Sequence, residues 1–260
     1  MRKLSWDDYF ERTIYVKVQF DLAREAISTF RETPDVLKRF LEKELNSLRQ
    51  LLREHSAKTG KGLAKHWAFS EEEETRYFEV LASNTQEQLT KFENSLKQSE
   101  LILRVTIFEI FMKNIHRQVL RLKPTLLNVN KQIPLGHILS LGYKKTIEEQ
   151  IDKAVDTLDR MSVGAKAKYF KERMGIDWFE GKAVPLLEHV INVRNSILHE
   201  NPDRIIDKVD MGLTVLMCTA IPFVSIAQGA VLYPNGFKMV KGIDKAKIKK
   251  LMKIENKTNK

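Results

Sequence analysis

Between Met211 and Tyr233 the chain carries no charged residue, and so long an uncharged run has few places to go in a folded protein. It is long enough to span a bilayer. It also holds Thr214, Thr219, Pro222, Ser225, Gln228 and two glycines, a composition that favours a buried core helix over a membrane span. A core helix needs an apolar partner, and the segment before it supplies one. A requirement for detergent on extraction would instead favour the membrane-associated alternative.

That partner is VPLLEHVINVRNSILHE, Val184 to Glu200. Pro185 fits a first helical turn and Asn201–Pro202 supplies a stop, so the spacing predicts a helix roughly 25 Å long. At 100° per residue Glu188, Asn192, Asn195 and His199 share one polar stripe, while Leu186, Leu187, Val190, Ile191, Val193, Ile197 and Leu198 form most of the rest. Arg194 falls inside the apolar arc, about 140° from His199. Such a cation either wraps its stem toward the stripe, meets a loosened helix end, or pairs with a carboxylate at the core edge.

A second helical pattern, SELILRVTIFEIFMKNIHRQVLRL, runs from Ser99 to Leu122 with a cap expected at Ser95 or Ser99. Glu109 stands between Phe108 and Ile110, an odd place for an unpaired acid. Glu109, Lys113 and His116 form a polar stripe, so the acid either orients Lys113, caps a structural ion pair, or holds Arg194.

These two segments carry a resemblance. FEIFMK, followed about 80 residues later by LLEHVINVRNSILHEN, resembles the HEPN superfamily of all-helical, nucleic-acid-associated domains over roughly residues 95 to 230. The motif of Arg, often followed by Asn, and then His matches Arg194, Asn195 and His199. The resemblance implies an antiparallel helical bundle, a homodimer that brings two motifs together, and in many members metal-independent RNA cleavage, often as a toxin or anti-phage effector under an antitoxin or other regulatory protein.

The remaining composition fits an all-α protein. Cys218 is the single cysteine, so an intrachain disulfide is excluded; a reducing, cytoplasmic location and a buried structural role for the thiol are expected. No signal peptide is read at the start, where Trp6, Asp7, Asp8 and Glu11 interrupt any apolar stretch. The other histidines lack zinc-type spacing, Gly-rich nucleotide loops are missing, and neither metal nor cofactor is expected.

Helices are expected near 5–31, 34–55, from Ser70 toward Leu96, at 99–122, 146–161, 165–174, over the motif, and from Asp207 onward. Ser56 to His66 reads as a basic loop, and Pro124 and Pro134 mark a connection. The expected organisation is an N-terminal helical region over 1–94, the HEPN-like bundle over 95–237 and a basic tail over 238–260. That tail holds nine lysines against Asp244 and Glu255, a balance of +7 that leaves +3 of the total of +10. It suits RNA, lipid headgroups or plain solubilisation.

On the RNA cleavage that the resemblance implies, the substrate offers its own 2′-hydroxyl nucleophile, so the protein need only move protons and stabilise the phosphorane. His199 is then the acid or base, Arg194 the cation on the non-bridging oxygens and Asn195 a donor, with Glu109, Lys113 and Asn192 in support. The competing expectation is a non-catalytic dimerisation or nucleic-acid-binding module.

Overall fold

The computed structural model describes residues 3–33, 71–127 and 133–238 with scattered positions between 36 and 54; in the helix that begins at Glu71, side chains are described at Arg76 and from Glu87 onward. The expected second helix at 34–55 lies largely outside the described residues, as do the basic loop, the Ser70 cap and the tail after Lys238. All seven helices among the described residues are α-helices, joined by two short 3-10 turns, so the protein is all-α. They are α1 (Trp6–Glu32), α2 (Glu71–Leu122), α3 (Leu135–Leu141), α4 (Tyr143–Asp159), α5 (Val163–Met174), α6 (Val184–His199) and α7 (Lys208–Leu232). Contacts divide the chain into one unit of Met1–Lys17 with Gln98–Lys260 and another of Val18–Lys97.

The second unit is held by charged pairs among its own helices: Arg31 meets Glu93 at 2.9 Å, and Glu93 also takes Lys97 at 3.1 Å. The first unit holds the motif helix and the main core. Its α1 opens on a reciprocal cap in which the Ser5 hydroxyl donates to Asp8 at 2.8 Å and accepts from the Asp8 amide at 3.3 Å. α2 is one helix of 52 residues, where the sequence had suggested two. No Gly or Pro interrupts it, and Ser95 donates back to the Lys91 carbonyl at 3.0 Å instead of capping a new start. It stops before Pro124, as a helix must when proline follows.

α3, unforeseen in the sequence, packs on α4 across Gly142, whose φ of +79° is readily open only to glycine. α5 is capped by Ser162, which accepts from Ala165, and closed by Gly175 in the left-handed region. α6 packs against α5 and α7. Their facing residues join Val105, Phe108, Ile115 and Val119 of α2 and Ile151 and Val155 of α4 in one core.

α7 is long and apolar enough to cross a bilayer, with a mean hydropathy of 1.9 and half its apolar window buried. In the fold Thr214, Met217, Ile221, Ser225 and Ile226 are buried. Pro222 lies inside this helix and has no N–H to offer the Cys218 carbonyl four residues back. The buried hydroxyl of Tyr9 donates to that carbonyl. A helix defect is thus repaired by α1, and burial makes Tyr9 hard to ionise, its hydroxyl pushed well above the ordinary range.

After α7 the chain returns beside the N-terminus. Leu4 donates to Gly236 at 2.9 Å, Lys238 donates to Leu4 at 2.8 Å, and the Gln118 amide donates to Gly236 at 3.0 Å. A Cβ at Gly236 would collide with a methyl of Leu122, so a larger residue at this crossing requires that side chain to move.

Candidate functional site

The motif helix α6 separates its faces cleanly. Leu187, Val190, Val193 and Ile197 are buried, while Asn192, Asn195 and His199 are exposed. The three exposed polar side chains make no hydrogen bond or ion pair among the described residues and stand open to an external partner. Glu188, the first member of the stripe, is half-buried beside the start of α5: its Oε1 lies 3.7 Å from where a Cβ at Gly164 would stand. That location suits a carboxylate, since the first turn of a helix presents unpaired N–H groups.

Arg194 points the other way. Its Nη2 donates to Glu109 Oε1 at 2.6 Å, and the two side chains are 19% and 24% exposed. Its Nε is buried with no acceptor. Of the three fates open to this cation in the sequence, the structure takes the ion pair at the edge of the core. Leu186 and Leu198, read as part of the apolar arc, are 39% and 47% exposed.

The stripe on α2 is divided among three helices. Glu109 turns to α6. Lys113 pairs with Asp159 at the end of α4 at 2.8 Å, so Glu109 does not orient it. His116 is fully buried, with Nε2 3.1 Å from the Tyr169 hydroxyl of α5 and Nδ1 unpartnered. Burial, reinforced by the nearby Arg117 charge, lowers its pKa to about 4, so the ring is neutral at physiological pH. A cavity of about 40 Å³ lies beside Glu109, Lys113 and Asp159, floored by Phe108, Leu187 and Ile191.

A further charged cluster ties α6 to α7. His189 Nε2 lies 2.8 Å from Asp210 Oδ1, and Arg204 reaches Asp210 Oδ2 at 3.7 Å. Asp210 is buried in the first turn of α7, beside Asp207, which accepts from its amide at 2.7 Å. Gln98 donates to the Pro202 and Arg204 carbonyls, both at 2.8 Å, which holds the loop after the motif against α2. Asp159, Tyr169, Arg204 and Asp210 were not singled out in the sequence. Only Asp210 left a signal, as the last acid before the uncharged run.

Cys218 is 3% exposed, and burial pushes its thiol up to about 12, which leaves it un-ionised and unsuited to act as a nucleophile at neutral pH. Among the described residues no group of three His, Cys, Asp or Glu side chains could hold a metal ion.

The site therefore offers one exposed imidazole, two exposed amides and a cation fixed on the opposite side of their helix. Comparison with protein-family models, with curated proteins and with solved structures finds no match to this chain.

Proposed function

We propose that this chain is a metal-independent endoribonuclease of HEPN type that works as a cytoplasmic homodimer. The observation that carries the reading is the exposure of His199, Asn195 and Asn192 on a helix whose other face is pinned to α2 by Arg194 and Glu109. In the reaction the 2′-oxygen bonds to phosphorus while the bond to the 5′-oxygen breaks. An imidazole base takes the 2′ proton, and an imidazolium acid returns one to the leaving oxygen. One His199 cannot serve both ends, so a two-fold axis near α6 supplies the second. Asn195 donates to the phosphate or fixes the imidazole, and Arg194 sets the helix that presents them. Control by an antitoxin or regulatory protein, as for a toxin or anti-phage effector, belongs to the same reading and rests on the resemblance alone.

Purified protein incubated with a mixed RNA pool in EDTA is expected to release fragments ending in 2′,3′-cyclic phosphate and beginning with 5′-hydroxyl. Activity lost in EDTA and restored by magnesium would overturn the mechanism.

One observation favours a second reading, a non-catalytic HEPN-like dimerisation or nucleic-acid-binding module: the motif's cation is engaged by Glu109 instead of facing His199. Under it the pool survives intact while the protein still dimerises or binds RNA.

A further inference from the structure

The face of α2 turned away from Glu109 borders a cleft of about 460 Å³, within the size range of small-molecule sites. Ile107, Asn114 and Gln118 lie about half a turn round the wheel from Glu109, Met112 and His116, so α2 itself stands between this cleft and the ion pair that holds α6. Lys3, Leu4 and the first two turns of α1, as far as Arg12, supply the rest of the lining.

The cations here outnumber the contacts that explain them. Lys3, Arg12, Arg117 and Arg121 line the cleft against Asp8 and Glu11, and Asp8 is turned to the Ser5 cap. Arg117 and Arg121, one turn apart on α2, are held from outside by Asp152 and Glu148, one turn apart on α4. Nε and Nη2 of Arg117 donate to Asp152 at 3.2 and 2.9 Å, and those of Arg121 donate to Glu148 at 3.0 and 2.6 Å. Neither carboxylate lines the cleft. This ladder accounts for the two arginines as a clamp between α2 and α4, but it leaves Arg12 and Asn114 without a role. Arg12 makes no ion pair or hydrogen bond among the described residues, and the half-buried Asn114 has no hydrogen-bond partner among them either. A guanidinium set in the same concave space as two others is repelled by them, a cost that an anion between them would offset.

The donors fit a phosphate monoester. The charged side chains that line the cleft balance at +2, close to the opposite of the charge such a group carries at neutral pH. With Nε and Nη2 fixed from outside, Nη1 of each α2 arginine has no acceptor among the described residues. Two oriented guanidinium edges, Arg12 and the Asn114 amide offer more N–H groups than the two oxygens of a carboxylate can use, and they suit the three terminal oxygens of a phosphate. Leu4, Ile107 and Phe111 give an organic body an apolar floor, and Glu11 is an acceptor for a hydroxyl or amino group on it.

We infer that the cleft between α1 and α2 binds a small phosphate monoester, with its phosphate on Arg12, Asn114, Arg117 and Arg121 and its organic part on Leu4, Ile107 and Phe111. The site is distinct from the α6 stripe and does not depend on the nuclease reading.

Isothermal titration calorimetry of the full chain with phenyl phosphate tests it. Saturable binding with a Kd on the order of 0.1 mM is expected, and inorganic phosphate and benzoate should each bind at least about fivefold more weakly. Arg12→Glu and, separately, the nearly isosteric Asn114→Asp each set a carboxylate beside the ligand phosphate and should weaken binding at least about tenfold. Lys168→Glu makes the same charge change as the first at an exposed position of α5, the helix packed on the His116 side of α2, and should alter binding less than about twofold. A melting transition like that of wild type certifies each variant as folded, and either cleft variant alone suffices for the test. The inference would be overturned by no saturable binding, by inorganic phosphate or benzoate binding as tightly as phenyl phosphate, by unchanged affinity in a folded cleft variant, or by an equal loss in Lys168→Glu. Displacement of phenyl phosphate by micromolar 2′-O-methyl RNA 12-mer would overturn it in favour of a polynucleotide backbone. The titration does not register RNA cleavage, so this inference and the nuclease reading fail separately.

Discussion

Replacing Glu109 by Gln preserves the shape of the side chain and removes the charge that Arg194 meets at 2.6 Å. With four-fifths of the Arg194 side chain buried, the guanidinium left behind regains little water. Breaking one side of a fully buried pair costs about 3 to 5 kcal/mol. Partial exposure and the amide oxygen that still accepts reduce this to about 2 kcal/mol. With a urea m-value of about 3 kcal/mol/M, the unfolding midpoint falls by about 0.7 M. Arg194→Met keeps the apolar stem and strands the carboxylate instead, for a comparable loss. The double variant Glu109→Gln/Arg194→Met leaves neither charge uncompensated, so it should be more stable than the two losses summed, with a coupling of at least about 1 kcal/mol. Additive losses would refute the pairing as a stabilising contact. RNA cleavage by the same four proteins then separates two roles for Arg194. If it acts by holding α6, activity recovers with stability in the double variant; if it touches the phosphate, activity stays lost wherever Arg194 is absent.

His199→Ala should lower cleavage by roughly a hundred- to ten-thousandfold with little change in the melting transition, because the side chain is exposed and unpartnered. Mixing that variant with wild type should depress specific activity more steeply than dilution if His199 of two copies acts on one substrate; full activity in His199→Ala itself would sink the assignment. Tyr9→Phe strands the buried Cys218 carbonyl and should cost about 1 to 3 kcal/mol in urea unfolding. Tyr9→Phe/Pro222→Ala should restore part of that by supplying the missing N–H, and no rescue would show that the hydroxyl does something else. His116 binds its proton less readily when folded, about 4 against an ordinary 6.5, so its contribution is complete above about pH 6.5 and drains away as pH falls toward 4. That gap corresponds to about 3 kcal/mol, and His116→Gln should flatten the pH dependence of stability over this window; identical profiles would contradict it.

The motif helix was legible because its signals are local. Pro185 and Asn201–Pro202 frame an amphipathic period, and the observed bounds differ from the expected ones by one residue at the C-terminal end. The continuity of α2 was not legible: Ser95 and Ser99 are cap residues by type, yet a cap works only where the backbone already leaves the helix, and no breaker forces that. Spacing also placed Glu109, Lys113 and His116 side by side without revealing what faces them. Their partners on α6, α4 and α5 lie between 46 and 85 positions away along the chain, and one helix's wheel carries no information about the residue packed opposite. Pro222 was visible as a poor membrane-helix residue, but the carbonyl it orphans and the Tyr9 hydroxyl that answers it belong to tertiary structure alone.

An ion pair at the edge of a core is an inefficient way to hold two helices, since its desolvation cost offsets much of its attraction and an apolar pair of similar size would serve stability as well. What the charges add is register. Leucines and valines along α6 would pack almost as well after a one-residue slip, which turns the helix by about 100° relative to its neighbours. Such a slip would bury part of the amide stripe and carry His199 toward the packed side. Arg194 and Glu109 penalise it, because the slipped helix leaves both charges without a partner in a mostly buried place. The His189–Asp210 contact opposes the same rotation from the α7 side. With both edges of α6 fixed, the face that carries Asn192, Asn195 and His199 stays turned outward.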